Sequence, residues 1–194
     1  MHNRITKTML PAIAVMIAFA ATATAEEPAY RSLSVGQTVE AEGEWKEDDS
    51  IFVAEDVELL PMPRRPKLRG SIVAADSANQ RLMMFGQWIE ITEKTQFIDV
   101  EDASPGFSLL KRGDRIEVSC KVDTLGTWTA RHIRVGSVKG SNKIKGTISA
   151  IHFDGKVPEV IEIEGLPLQV HAETVIYKTL GAVSADSADV ENDE

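Results

Sequence analysis

Cysteine is almost absent from this sequence, since Cys120 is the only one in 194 residues. A lone cysteine excludes an intrachain disulfide, and it also excludes zinc sites built from paired cysteines. Cys120 falls on the apolar face of the alternating run from Ile116 to Val122. This position predicts a buried and unreactive thiol.

Positive charge is scarce as well. The chain has 21 Lys and Arg residues against 30 Asp and Glu residues, which gives a net charge of −9 at pH 7. Nucleic-acid phosphates favour proteins with a basic face. The composition therefore argues against a nucleic-acid partner and favours solubility.

An apolar run long enough for a permanent membrane helix is also missing. The run at residues 9–21 is shorter than the roughly 20 residues that such a helix needs. Arg4 and Lys7 precede this run, and small residues ending at Ala25 follow it. This order predicts a signal peptide at residues 1–25 that is cleaved after Ala25. The mature protein is then expected in the periplasm or outside the cell, without a stable membrane anchor.

What the rest of the sequence has is short alternating strands. Apolar residues recur at every second position around Val39, Ile89, Ile116 and Ile161, and turn-forming residues separate these runs. Only residues 107–112 predict a short helix. This pattern predicts an all-β protein made of small barrel units.

Two pairs of segments repeat within the chain. Residues 33–59 resemble residues 110–135, and the segment from Leu68 resembles the segment from Ile144. In both copies of the first pair, the spacing between successive apolar residues increases from two to three after an alanine. This change predicts a shared β-bulge. The predicted organisation is an N-terminal β half-unit at 33–60, a Pro-rich linker at 61–67, a central five-stranded OB-like barrel at 68–136, a C-terminal β half-unit at 144–180 and a disordered acidic tail at 181–194.

The half-units can close in two ways. Each half-unit alone would expose open sheet edges, which soluble proteins avoid. We therefore predict that residues 33–60 and 144–180 pair with each other into a second barrel around the central one. Alternatively, each half can pair with its neighbour in sequence, giving two barrels that divide at residues 99–107.

The central unit resembles a known family. Its motif consists of Gly70-Ser71-Ile72, Thr95, the run from Leu110 to Val118 and Ala130-Arg131-His132-Ile133. These residues resemble an exported bacterial OB-fold-like domain of unknown function, the 5666 type, which often occurs in tandem copies. The resemblance implies tandem OB-like barrels, partly split here, and it implies no activity. The family tends to have glycine at the position of Cys120, as this chain has at Gly43.

Catalytic and metal-binding motifs are not evident. The mature chain has three histidines, His132, His152 and His171, and no nucleophile elbow accompanies them. We therefore expect no catalytic residues, no enzyme activity and no cofactor. The same three histidines are the weak candidates for a metal site.

Binding residues are predicted on three surfaces. Met83, Phe85 and Trp88 are candidates for a ligand-binding face, because Leu82, Met84, Ile89 and Ile91 take the inward positions. The basic run at residues 64–69 is a further candidate for an anionic glycan or lipid head group. Opposite charges at equivalent repeat positions predict an interface, either between the two units or between molecules, formed by Glu44, Glu55, Glu58, Lys121, Arg131 and Arg134.

Together these features predict a non-catalytic exported binding or adaptor protein of the bacterial envelope. Its expected partner is a protein complex or a polysaccharide, and it can form oligomers. A periplasmic metal- or haem-handling protein is the alternative, and a hydrolase is the third interpretation.

Overall fold

The computed structural model describes residues 33–98, 106–136, 138–153 and 159–178. The predicted signal peptide and acidic tail lie outside these ranges. The strands are β1 (Thr38–Lys46), β2 (Ile51–Leu59), β3 (Lys67–Ser71), β4 (Ala74–Asp76), β5 (Arg81–Met84), β6 (Gln87–Glu90), β7 (Gln96–Ile98), β8 (Arg115–Val122), β9 (Trp128–Val135), β10 (Asn142–His152), β11 (Glu159–Ile163) and β12 (Leu166–Lys178). A 3₁₀ helix at Phe107–Leu109 lies where the sequence predicts a short helix. The predicted all-β class is confirmed.

The strands at the two ends of the described chain form a closed five-stranded barrel. Its order is β10-β11-β12-β2-β1 and back to β10. The β12–β2 pair is parallel and the other four pairs are antiparallel. The terminal segments therefore close on each other, which is the first of the two arrangements that the sequence leaves open.

The central strands repeat this order of pairings. They run β3-β8-β9-β6-β5-β4, with a parallel pair at β9–β6 and antiparallel pairs elsewhere. Strands β3 and β4, at the two ends of this path, follow each other in the chain. The intervening Val73 donates its backbone N–H to the carbonyl of Met83 on β5. This hydrogen bond holds the segment between β3 and β4 against the other end of the row of strands. Strand β7 adds a second parallel pairing to β9.

Both sets of strands contain the bulge that the sequence predicts. The register of β1 against β2 shifts between Glu42 and Gly43, and that of β8 against β9 shifts between Ser119 and Cys120. Gly43 is required at its position, because a Cβ there would overlap the backbone of Val53 on β2. Equivalent bulges place equivalent side chains on the two outer surfaces.

A strand pairing joins the two sets. Strand β3 is antiparallel to β10, with Leu68 opposite Ile144. Both side chains are fully buried, and each takes the same place in its own repeat. The terminal barrel and the central strands therefore meet across this seam, the β3–β10 pairing.

The seam brings four cationic side chains together. Lys67 lies opposite Lys145, and Arg69 lies opposite Lys143. Like charges directly opposite each other destabilise a sheet. Glu117 on β8 compensates one side, since its carboxylate is 2.6 Å from Arg69 Nη2, 3.3 Å from Lys67 Nζ and 3.2 Å from Arg134 Nη1. Glu40 on β1 compensates the other, at 2.8 Å from Lys143 Nζ and 2.5 Å from Lys145 Nζ.

These ion pairs predict an acid-sensitive seam. Burial alone would raise the pKa of Glu117, but Arg69 and Lys67 outweigh it and hold this pKa below its ordinary value. Burial would likewise raise the pKa of Glu40. The hydrogen bonds and charges of Lys143 and Lys145 outweigh burial, and this pKa is also lowered. A lowered folded-state pKa stabilises the protein above the unfolded pKa of about 4.3, and this stabilisation is lost as the pH falls through the folded value.

We expect Glu40→Gln/Glu117→Gln to lower the free energy of unfolding at pH 7 by about 1–2 kcal/mol per site. The variant should also lose less stability than the parent below about pH 5. Chemical denaturation across pH 3–7 measures both effects, with the exposed Glu90→Gln as the control. Parallel stability curves for the double variant and the parent would contradict this account.

Candidate functional site

A wide, open groove lies on the outer surface of β9. Its volume is about 810 Å³. The lining residues are mostly polar or charged and come from β9, the end of β8, the turn between β6 and β7, and the linker before β3. They are Arg65, Thr92, Glu93, Lys94, Gln96, Lys121, Thr129, Ala130, Arg131 and His132. We call this surface the basic groove.

The β9 bulge sets the floor of the basic groove. Ala130 and Ile133 are both buried, so the two residues between them are out of strict alternation. Ser119 is opposite His132 and Cys120 is opposite Ala130, which leaves Arg131 as the extra residue. A bulge re-aims side chains in this way. Arg131 is exposed, His132 is half-buried, and both line the groove.

A turn fastened to β9 forms one rim. The Thr95 N–H donates to the Thr92 carbonyl at 3.0 Å, and the Thr92 N–H donates to Thr95 Oγ1 at 3.0 Å. The Thr95 hydroxyl in turn donates to the Ala130 carbonyl at 2.8 Å. Glu93 and Lys94 lie in this turn, and both are exposed. The turn thus holds their charges beside the β9 surface.

The linker and β8 form the other rim. The Cys120 N–H donates to the Pro66 carbonyl at 2.8 Å, which ties the end of the linker to β8. Arg65 precedes this anchor, and Lys121 follows Cys120 on β8. Both side chains are exposed and line the groove. The basic run of the linker therefore contributes to the site through Arg65.

The electrostatic character of the basic groove opposes that of the whole chain. Its lining has four permanent cations and one carboxylate, Glu93, whereas the protein carries a net charge of −9. Sites for small molecules are mostly apolar and aromatic. This lining has no Phe, Trp or Tyr side chain and offers threonine hydroxyls and the Gln96 amide as further polar groups. Such a surface suits carboxylate or other anionic groups of a macromolecule.

The predicted ligand-binding face around Trp88 is separate from the basic groove, whose lining does not include Met83, Phe85 or Trp88. Trp88 is half-buried, and the Arg81 guanidinium lies over its ring at 4.3 Å from the centroid. Met83 is half-buried on the neighbouring strand, opposite Trp88. The prediction that Phe85 faces outward is wrong, because Phe85 is only 3% exposed and packs against Trp45 and Phe52.

The predicted interface residues divide between the two barrels. Lys121 and Arg131 line the basic groove, and Arg134 binds Glu117 at the seam. Glu44 is 2.5 Å from Lys46 of its own strand. Glu55 is exposed in the β2 bulge, and Glu58 lies opposite Tyr177 of β12. The register between the two units is determined by the β3–β10 pairing.

The histidines do not converge. His132 lies in the basic groove, His152 is 2.8 Å from Glu162, and the His171 N–H donates to Thr174 Oγ1. Within the described ranges, no group of three or more His, Cys, Asp and Glu residues is placed to hold a metal ion. Cys120 is buried as predicted, and burial raises the pKa of its thiol.

Several groove residues were not predicted. Thr92, Glu93, Lys94, Gln96 and Thr129 carry no motif of their own, and in the sequence only the motif residue Thr95 pointed to this turn. Their contribution depends on the parallel pairing of β7 with β9, in which Gln96 lies opposite His132. A parallel pairing between distant strands leaves no local signal in a sequence.

The fold and the groove define a class: an all-β protein with a closed five-stranded barrel, additional strands and a basic groove on an otherwise acidic chain. Residues 69–134, roughly a third of the chain, match the family described as "Domain of unknown function (DUF5666)". A domain of this type therefore occupies the centre of the chain, as the sequence motif indicates. No curated protein and no solved structure matches the chain. No helix in the described ranges is long and apolar enough to cross a membrane.

Proposed function

We propose that this protein is an exported, non-catalytic binding module of the bacterial envelope, and that the basic groove is its binding site for a carboxylate-bearing macromolecule. The observation that supports this proposal most directly is the concentration of Arg65, Lys94, Lys121 and Arg131 around one groove of an acidic protein. Export is supported by the N-terminal sequence alone, through the order of basic, apolar and small residues.

The arrangement of the groove supports binding rather than catalysis. Its one histidine, His132, is accompanied in the lining by hydroxyl groups of Thr92 and Thr129 and by the carboxylate of Glu93. Among the described residues of this region, the hydrogen bonds fasten the turn to β9, and none joins the His132 ring to a hydroxyl group. Nucleophilic catalysis requires such a connection. The four cations of the groove are held by two strands, a turn and the linker. Together they form a surface suited to binding anions.

Binding of anionic polymers tests this proposal. The protein from Glu26 to Glu194 should bind poly-glutamate, an acidic polypeptide, or polygalacturonate, an acidic polysaccharide, and should not bind neutral dextran. Lys121→Glu/Arg131→Glu should weaken this binding by about 10- to 100-fold, because two attractive contacts become repulsive. Isothermal titration calorimetry at low salt measures the affinities.

The matched control is Lys111→Glu/Lys139→Glu, which changes the net charge equally at exposed positions outside the groove. Its affinity should stay close to that of the parent. Equal losses in the two variants would mean that net charge alone controls binding, and would refute the groove as the site. Binding of only one of the two polymers would assign the partner to acidic proteins or to acidic polysaccharides.

A further inference from the structure

The terminal barrel carries an acidic surface at the place where the central strands carry the basic groove. In its β-bulge, Glu42 is opposite Asp56 and Gly43 is opposite Ala54, so Glu55 is the extra residue. Glu55 is exposed, Asp56 is half-buried, and the side chain of Glu44 is 61% exposed. Glu173, also exposed, precedes Thr174 on the adjacent β12. We call Glu44, Glu55, Asp56 and Glu173 the acidic face.

Matching hydrogen bonds show that the two surfaces are equivalent. Thr174 Oγ1 donates to the Ala54 carbonyl at 2.8 Å, as Thr95 Oγ1 donates to the Ala130 carbonyl at 2.8 Å. The His171 N–H donates to Thr174 Oγ1, as the Thr92 N–H donates to Thr95 Oγ1. The position-by-position pairs are Lys121 with Glu44, Arg131 with Glu55, His132 with Asp56 and Lys94 with Glu173.

Within the described residues, no ion pair joins the basic groove to the acidic face, and Glu44 is paired with Lys46 of its own strand. The two barrels meet through β3 and β10 and through the Phe85 ring, and the basic groove is lined by the central strands and the linker alone. Neither surface includes a residue of the β3–β10 pairing that joins the two sets of strands. An anion-binding groove and an equivalent acidic face on one chain are complementary only between different molecules.

The acidic face also has the apolar neighbours that a protein interface needs. Val175 of β12 lies opposite Asp56 and is 55% exposed, and Tyr177 is 43% exposed two residues further along. Partial burial, followed by the negative charges of Glu58, Asp56 and Glu42, raises the pKa of the Tyr177 hydroxyl. Tyrosine is enriched in the centres of protein interfaces.

We propose that the acidic face of one copy docks into the basic groove of a second copy. This inference rests on the proposed function of the groove and names a second molecule of the same chain as its carboxylate-bearing partner. The contact joins two different surfaces, so it is heterologous and leaves one groove and one acidic face unfilled in each pair. Its attraction is electrostatic and should weaken as the screening length falls from about 10 Å at 0.1 M salt to about 3 Å at 1 M.

A charge-swap experiment tests the docking, with sedimentation velocity of the protein from Glu26 to Glu194 as the measurement. The parent should self-associate at low salt and dissociate at 1 M salt. Lys121→Glu/Arg131→Glu and Glu44→Lys/Glu55→Arg should each reduce the association constant by at least about tenfold, because each variant has two surfaces of one sign. An equimolar mixture of these variants should associate again, because the swapped surfaces are complementary.

Three results would overturn the docking. The parent could remain monomeric at low salt, the mixed variants could fail to associate, or removal of residues 181–194 could abolish association, which would assign the groove to the acidic tail. Circular dichroism of each variant shows whether it is folded. A monomeric protein that still binds poly-glutamate through Lys121 and Arg131 would leave the proposed function intact and refute this inference alone.

Discussion

Deleting residues 26–60 is expected to unfold β11 and β12 while β3–β9 remain folded. The deletion removes β1 and β2, and with them the buried side chains of Val39, Phe52 and Val57. It also removes the strand to which β12 pairs along seven positions, so that β12 becomes an open edge. Strands β10, β11 and β12 remain as an open sheet. Its apolar side chains have lost the facing side chains of β1 and β2, so β11 and β12 should not stay folded.

Hydrogen exchange measured by mass spectrometry checks this result. The backbone amides of residues 159–178 should lose their protection in the deletion variant, and those of residues 68–98 and 106–136 should keep theirs. The control is a chain that begins at Leu33 and retains both terminal strands. Protection of β12 in the deletion variant would show that the C-terminal strands fold without their N-terminal partners.

Replacing Phe85 with alanine should be the most damaging single substitution that we predict, with a loss of about 3–5 kcal/mol in the free energy of unfolding. The Phe85 ring is 3% exposed, with its centroid 5.3 Å from that of Phe52 and 6.0 Å from that of Trp45. It lies over Gly70, where any Cβ would overlap the ring. One side chain of the β5–β6 turn therefore packs against Trp45 and Phe52 of the terminal barrel.

The backbone at Phe85 supports this expectation. Phe85 has φ of 49° and Gly86 has φ of 72°, the left-handed pair that a two-residue hairpin turn requires. A phenylalanine in this conformation costs about 1–3 kcal/mol, so the burial of its ring must stabilise the turn. Removing the ring leaves the strained backbone without that compensation.

Urea denaturation followed by tryptophan fluorescence measures the loss. The control is Phe153→Ala, because Phe153 is 57% exposed and its removal should change stability by less than about 0.5 kcal/mol. The Phe85→Ala variant should also unfold in two transitions, since the ring links the two barrels. Equal stabilities of the two variants would show that Phe85 does not hold the barrels together.

Strand alternation predicted the core correctly up to the point where a strand ends. Leu82, Met84 and Ile89 are fully buried, as their inward positions in β5 and β6 require. Phe85 was expected outside because it follows Met84. Strand β5 ends at Met84, however, and the left-handed turn residue that follows no longer obeys a period of two. The error therefore lies at a strand boundary.

Local patterns in the sequence determined the strands, the bulges after Ala54 and Ala130 and the inverted charges at equivalent repeat positions. These features depend on the alternation of apolar and polar side chains and on the change from two to three in the spacing of apolar residues. Residues close in the sequence encode both. Only the tertiary structure decided that β1 and β2 close with β10–β12, and that Arg65 and Lys94 join Lys121 and Arg131 around one groove. Strand edges present the same backbone groups everywhere, so the choice between distant partners depends on the packing of the whole core.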